Sequence, residues 1–187
     1  PDSTLESLAK LKPVFGRGLS TEPTMTAGNS TPLTDGASTV LLSSEEWAAA
    51  HGLEPLAYLV DAEAAAVDFV TGTEGLLMAP AYAVPRLLAR NGLTFADFDV
   101  FEIHEAFAST VLTHLAAWES EEFCREKLGL DAPLGTIDRD RLNPNGSSLA
   151  AGHPFAATGG RIVASVAKHL HETGGTRALV SICAAGG

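Results

Sequence analysis

The sequence has no Lys or Arg between Gly18 and Pro85, a stretch that carries nine acids: Glu22, Asp35, Glu45, Glu46, Glu54, Asp61, Glu63, Asp68 and Glu74. Across all 187 residues, 12 basic side chains face 23 acidic ones, a formal charge of −11. Phosphate backbones are held by clustered Lys and Arg, so this balance argues against a nucleic-acid partner, and it repels an anionic membrane surface. Long apolar runs are missing too. None approaches the roughly 18 to 20 residues of a membrane span, and Pro1 to Lys12 lacks the pattern of a signal peptide. Two cysteines, Cys124 and Cys183, are too few for a disulfide framework in a chain of this size. A reducing compartment is therefore expected. The start at Pro1 without Met and the stop at Gly187 read as cut ends, so a piece of a longer chain is expected.

Several catalytic signatures are absent as well: there is no G-x-S-x-G, no G-x-x-x-x-G-K-[ST] and no G-x-G-x-x-G after a strand. His104-Glu105-Ala106-Phe107-Ala108 is not the His-Glu-x-x-His zinc spacing, and His114, ten residues on, is out of phase for an i, i+4 pair; no metal site is expected. What the chain does have is 45 % apolar residues, enough for a chain this long to bury roughly 70 % of its unfolded surface around one core.

Residues 1–24 mix Pro, Gly and polar side chains and read as a linker or the tail of a preceding module. From Met25 the texture changes, with turn chemistry at Thr26-Ala27-Gly28-Asn29 and Thr34-Asp35-Gly36. Strands are expected at Ser38 to Leu42, Leu56 to Val60, Phe98 to Ile103 and Ala178 to Cys183. Helices are expected from the Ser43-Ser44-Glu45-Glu46 cap to Gly52, from Pro80 to about Arg90, from His104-Glu105 through Phe107, Val111 and Leu115, over the charged stretch Glu119 to Leu128, and from Pro154 to about His171. Strands alternating with helices, without an internal repeat, indicate an α/β domain.

Three side chains lie where α/β domains bind ligands, past the carboxyl end of a strand or at a helix start: His104, His153 and Cys183. His153 follows Gly152, which permits a tight backbone approach, and precedes Pro154. A helix N-terminus beside the ring disfavours imidazolium, and a neutral ring can take a proton from a thiol; a ring that merely caps the helix explains the position equally well. Cys183 ends an apolar strand and by itself reads as core filler before it reads as a reactive thiol. Cys124, on a charged helix, is structural, His169 and His171 are solvated, and Arg161, Arg86 and Arg90 read as surface or partner contacts.

Taken together, the three sites resemble the thiolase family. Asn145-Gly146 followed by Ala151-Gly152-His153-Pro154-Phe155-Ala156-Ala157-Thr158-Gly159-Gly160-Arg161 is similar to N-G-G-x-x-x-x-G-H-P-x-G-x-[ST]-G-x-R; His104-Glu105-Ala106-Phe107 resembles the [NH]-E-A-F box; and Cys183-Ala184-Ala185-Gly186-Gly187 resembles C-x-[GA]-G-G. Ser147 stands where the pattern has its second Gly, and Ala156 where it has the Gly after Pro154-Phe155. His104, the Cys-Ala-Ala-Gly-Gly box and the Trp118 to Gly129 insertion resemble the β-subunit of the trifunctional β-oxidation complex.

The resemblance implies a five-layer α/β/α/β/α fold, of which this chain gives mainly the C-terminal half: residues 1–24 as the tail of the loop domain or a linker, and 25–187 as the C-terminal domain, truncated at its end. It implies thiolysis of a 3-ketoacyl-CoA by CoA, CoA being a substrate and no cofactor being needed. His153 is then the base that activates a nucleophilic cysteine in an N-terminal half not in this chain. Cys183, with a pKa near the working pH, is the acid and later the base. His104 and His153 form one oxyanion hole, the backbone N–H of Ala185 contributes to a second, and Asn145, Gly146 and Gly152 shape the loop. A homodimer or tetramer and a hydratase/dehydrogenase partner are implied, and the isolated chain is expected to be inactive. A biosynthetic thiolase run in the Claisen direction and a non-catalytic acyl-CoA-binding or scaffold subunit stand as alternatives.

Overall fold

The computed structural model describes residues 2–16, 18 and 22–185. Its elements run α1 (Leu5–Ala9), α2 (Glu45–Ala50), α3 (Pro80–Asn91), β1 (Val100–Ile103), α4 (Ala108–Glu119), α5 (Glu121–Glu126), α6 (Ser148–Ala151), α7 (Ala156–Thr173) and β2 (Ala178–Ser181). β1 and β2 pair in parallel, with Val100 opposite Ala178 and Ile103 opposite Ser181, so both strands deliver their carboxyl ends to one edge. The long crossover between them carries α4 to α7, as a parallel connection requires.

Side-chain alternation along β1 sorts the packing. Phe101 and Ile103 enter the main core with Val84 and Leu88 of α3, Val111, Leu115 and Trp118 of α4, and Phe95, Phe98, Ile137 and Leu179. Val100 and Glu102 point to the other face, where α7 crosses both strands and Arg161, Ser165 and Val166 line a cavity with them. On α7 the residues inward at helical spacing are Thr158, Ile162 and Val166, and the helix stops at left-handed Gly174. Pro85 lies inside α3 and cannot donate to Ala81; the freed Ala81 carbonyl instead accepts the Trp118 indole N–H at 3.3 Å, which ties α3 to α4.

Several expected boundaries move. The helix expected from His104 starts at Ala108, because residues 105–107 are engaged elsewhere: Thr31 N–H donates to the Ala106 carbonyl at 3.0 Å and Ser30 bridges to Phe107. The helix expected from Pro154 starts at Ala156, after Phe155 at φ 41°. The segment read as linker holds α1, closed by a capping box between Thr4 and Ser7.

The strands expected at 38–42 and 56–60 form no ladder among the described residues. Their apolar side chains stand in the open, Leu59 at 78 % and Val60 at 82 % exposure. A strand exists only through its neighbour, and no neighbouring strand lies among the described residues.

Candidate active site

The carboxyl edge of the β1–β2 pair is where the expected residues collect. The backbone N–H of His104 continues the ladder by donating to the Ser181 carbonyl at 2.9 Å, and Cys183 lies two residues beyond that carbonyl. His153 is brought in by the Asn29–Leu33 segment. Ala108 N–H donates to the Asn29 carbonyl at 2.9 Å, and His153 N–H donates to the Pro32 carbonyl at 2.9 Å, so one stretch of chain clamps both histidine loops. The result is two imidazoles with centroids 4.4 Å apart and planes at 47°. Gly152 makes the approach possible: it sits at φ +88°, and a Cβ there would lie 2.5 Å from the Thr34 side chain.

Each ring is held at Nδ1 by a hydroxyl. His104 Nδ1 pairs with Ser148 Oγ at 2.8 Å, and His153 Nδ1 pairs with Thr158 Oγ1 at 2.7 Å. Arg161 reaches Ser148 Oγ with Nη2 at 3.0 Å. Arg161 is therefore not the surface contact expected from the sequence; it lies one helical turn after Thr158 and is half-buried beneath the site. Arg90, in contrast, is half-exposed and pairs with Asp61 and Glu63.

A second layer fixes the loop. Asn143, at φ 48°, donates its backbone N–H to the Phe101 carbonyl at 2.8 Å. Its side-chain amide accepts from Ile103 N–H at 2.8 Å and donates to the Ile103 carbonyl at 3.0 Å and to Glu105 Oε1 at 2.7 Å. The amide thus serves as one residue of neighbouring strand. Glu105 uses its other oxygen to accept Leu149 N–H at 3.0 Å, near the start of α6. Asn145, expected to shape the loop under His153, instead lies exposed and bridges to His169 Nδ1 at 3.1 Å, so His169 is not simply solvated. Two residues upstream, Asn143 holds the loop.

Neither departure from the family pattern falls at a left-handed position that needs glycine: Ser147 has φ −128° and Ala156 is the first residue of α7, although the buried Ser147 hydroxyl has no hydrogen-bond partner among the described residues. Ala185 is exposed, and Gly186 and Gly187 of the expected C-x-[GA]-G-G box lie outside the described residues. Cys124 is structural: its thiol points to the Ala117 and Trp118 carbonyls and accepts Leu134 N–H at 3.4 Å.

The electrostatics make both rings neutral. Burial, then the neighbouring His153 ring and the Arg161 charge, lower His104 to about 4. Burial, then Arg161, lower His153; a helix terminus is not among the causes. Burial raises the Cys183 thiol to about 11, above the near-neutral value expected, so the thiol carries its proton at neutral pH. A neutral imidazole and a protonated thiol just past the ends of two paired parallel strands, with a second neutral imidazole from the loop before α7, can accept a proton, donate a neutral hydrogen bond and deliver a proton.

Comparison with known proteins identifies the family. The family described as "Thiolase, C-terminal domain" matches residues 53–187, and "Thiolase, N-terminal domain" matches residues 1–46, so the change of family falls across α2. The chain is 46 % identical over 186 residues to the 3-ketoacyl-CoA thiolase of Shewanella loihica, covering all of this chain and 41 % of that protein. It is 47 % identical over 185 residues to a probable 3-ketoacyl-CoA thiolase of Caenorhabditis elegans, covering 99 % and 40 %. Human mitochondrial 3-ketoacyl-CoA thiolase superposes with a TM-score of 0.75 at 30 % identity over all of this chain and 41 % of that one. The dimeric peroxisomal thiolase of Saccharomyces cerevisiae gives 0.75 at 34 %, over 99 % and 40 %. The chain belongs to the thiolase family and has its α/β fold, and it spans about two fifths of the length of these relatives.

Proposed function

We propose that this chain supplies the C-terminal half of a 3-ketoacyl-CoA thiolase site, with the nucleophilic cysteine coming from thiolase residues outside it. The observation that carries the reading is the His104–His153 pair, each ring anchored at Nδ1 by a hydroxyl, on the strand edge that also bears Cys183. The names of relatives at 46–47 % identity support the substrate class.

In the first step His153 takes the nucleophile's proton, and the thiolate attacks the 3-keto carbon. The C2–C3 bond breaks, the shortened acyl group stays on the nucleophile as a thioester, and acetyl-CoA leaves as its enolate. Cys183 protonates C2, a step suited to a thiol that holds its proton at neutral pH. In the second step the Cys183 thiolate deprotonates incoming CoA, which takes the acyl group and expels the nucleophile. His104, through a water, and His153 hydrogen-bond one thioester oxygen, and Ala185 N–H the other; losing one such donor lowers a rate by about 10² to 10³.

CoA is a substrate here, and no cofactor enters. The exposed apolar segments 38–42 and 56–60 are the surface on which the remaining thiolase residues pack, and a homo-oligomer is part of the same reading. A cytoplasmic or mitochondrial location and a hydratase/dehydrogenase partner extend it. The test is thiolysis of acetoacetyl-CoA by the assembled protein. Cys183→Ser is expected to lower turnover by about 10³ or more, and unchanged turnover would remove Cys183 from the reaction.

A further inference from the structure

Behind the histidine pair lies a row of polar side chains that the reaction steps do not use: buried Glu102, Ser147 and Ser148, and half-buried Arg161. Ser148 has no exposed surface, and its Oγ has two partners, Arg161 Nη2 at 3.0 Å and His104 Nδ1 at 2.8 Å. A guanidinium only donates, so the contact with Arg161 occupies one lone pair of that oxygen. The hydroxyl then has one proton and one lone pair left for His104.

Two arrangements are possible. Ser148 donates to Nδ1, which places the ring's own proton on Nε2, or Nδ1–H donates to Ser148, whose proton is then left without an acceptor. The second leaves a buried donor unsatisfied, and the first satisfies both the Ser148 hydroxyl and His104 Nδ1. The Arg161 charge also draws density from Oγ and strengthens the hydroxyl as a donor. Glu102 is buried on the same side under α7, where burial raises its pKa against the lowering pull of the Arg161 charge. Nothing among the described residues engages His104 Nε2.

We infer that Arg161, acting through the Ser148 hydroxyl, is a positioning residue that holds His104 as the neutral Nε2–H tautomer, so that the ring presents a donor on its free side. The catalytic consequence rests on the acyl-transfer reading above; the tautomer itself does not. A donor at Nε2 is what an oxyanion-stabilising His104 needs, and the opposite tautomer would present a lone pair there.

The experiment is long-range 1H–15N NMR of histidine-labelled protein, with the N-terminal thiolase residues present, at pH 7.5. The parent is expected to show His104 protonated at Nε2 and not at Nδ1. Ser148→Ala and Arg161→Met are expected to give a mixture of tautomers, and Ser148→Thr to restore the parent spectrum. A parent spectrum with Nδ1 protonated overturns the proposal, as does an unmixed Nε2–H spectrum in both disrupting variants. In thiolysis, Ser148→Ala is expected to lower kcat at least tenfold with KM within twofold, and Ser148→Thr to recover it. A mixed tautomer with unchanged kcat overturns the positioning role. If the parent itself thiolyses nothing, the acyl-transfer reading fails, while the spectrum still decides the tautomer.

Discussion

Two asparagines two residues apart should differ sharply in what they contribute to stability. Replacing Asn143 by Ala removes the amide that pairs with Ile103 N–H at 2.8 Å, the Ile103 carbonyl at 3.0 Å and Glu105 at 2.7 Å. Ile103 is buried, so both of its backbone groups lose their partner where water enters poorly. Each unpaired buried group costs about 1–3 kcal/mol, and Ala at φ 48° adds about 1 kcal/mol. The expected loss is on the order of 4 kcal/mol, a large part of a domain's usual 5–15 kcal/mol. Asn145→Ala removes one exposed contact, to His169, and is expected to stay within about 0.5 kcal/mol. Urea unfolding followed by circular dichroism reads both. At a slope near 2 kcal/mol per M the Asn143→Ala midpoint falls by about 2 M, while Asn145→Ala barely moves. Asn143→Gly relieves the backbone part alone and should recover about 1 kcal/mol. Equal midpoints for the two Ala variants would refute the reasoning.

Acidification should destabilise the fold through His104. Its ring titrates near 4 when folded and near 6.5 when unfolded, so between these values the unfolded chain holds more protons, stability climbs with pH and is lost as pH falls; His104→Asn should flatten that slope in urea midpoints taken from pH 7 to 4. Gly152→Ala should cost about 1–3 kcal/mol, since φ +88° and the Thr34 contact both oppose a Cβ, and an unchanged urea midpoint would contradict the close approach assigned to Gly152. The high pKa and burial of Cys183 predict that iodoacetamide at pH 7.5 alkylates it at least about a hundredfold more slowly in the folded protein than in urea, as peptide mass spectrometry would record; comparable rates would place the thiol in the open.

The sites at strand ends were legible because their position depends on local pattern. Apolar runs that stop at His104 and Cys183, and a Gly-His-Pro turn before an amphipathic stretch, marked these positions, and the resemblance to the thiolase motifs set them apart from a core cysteine and a capping histidine. The residues that hold them were not legible. Asn143 reaches Ile103 across 40 positions, and Ser148 reaches His104 across 44, so nothing in the neighbourhood of either residue announces its partner. Thr158 and Arg161 left a fainter signal: they follow His153 by five and eight residues, and their spacing of three puts them on one helix face turned back toward it. Arg161 read as a surface residue because charge alone favours solvent, whereas here its side chain is half-buried and donates to the Ser148 hydroxyl. The segments 38–42 and 56–60 read as strands because they are apolar runs, yet pairing depends on a neighbouring strand that is not found among the described residues.

The most direct test of the account is where the acyl group goes. The assembled protein, this chain with the N-terminal thiolase residues, is mixed with acetoacetyl-CoA in the absence of CoA, quenched, and mapped by peptide mass spectrometry. The predicted result is an acetyl group on a cysteine outside these 187 residues, strongly diminished by His153→Asn, with Cys183 and Cys124 unmodified. An acetyl group on Cys183, or labelling indifferent to His153, would contradict the division of roles proposed for this site.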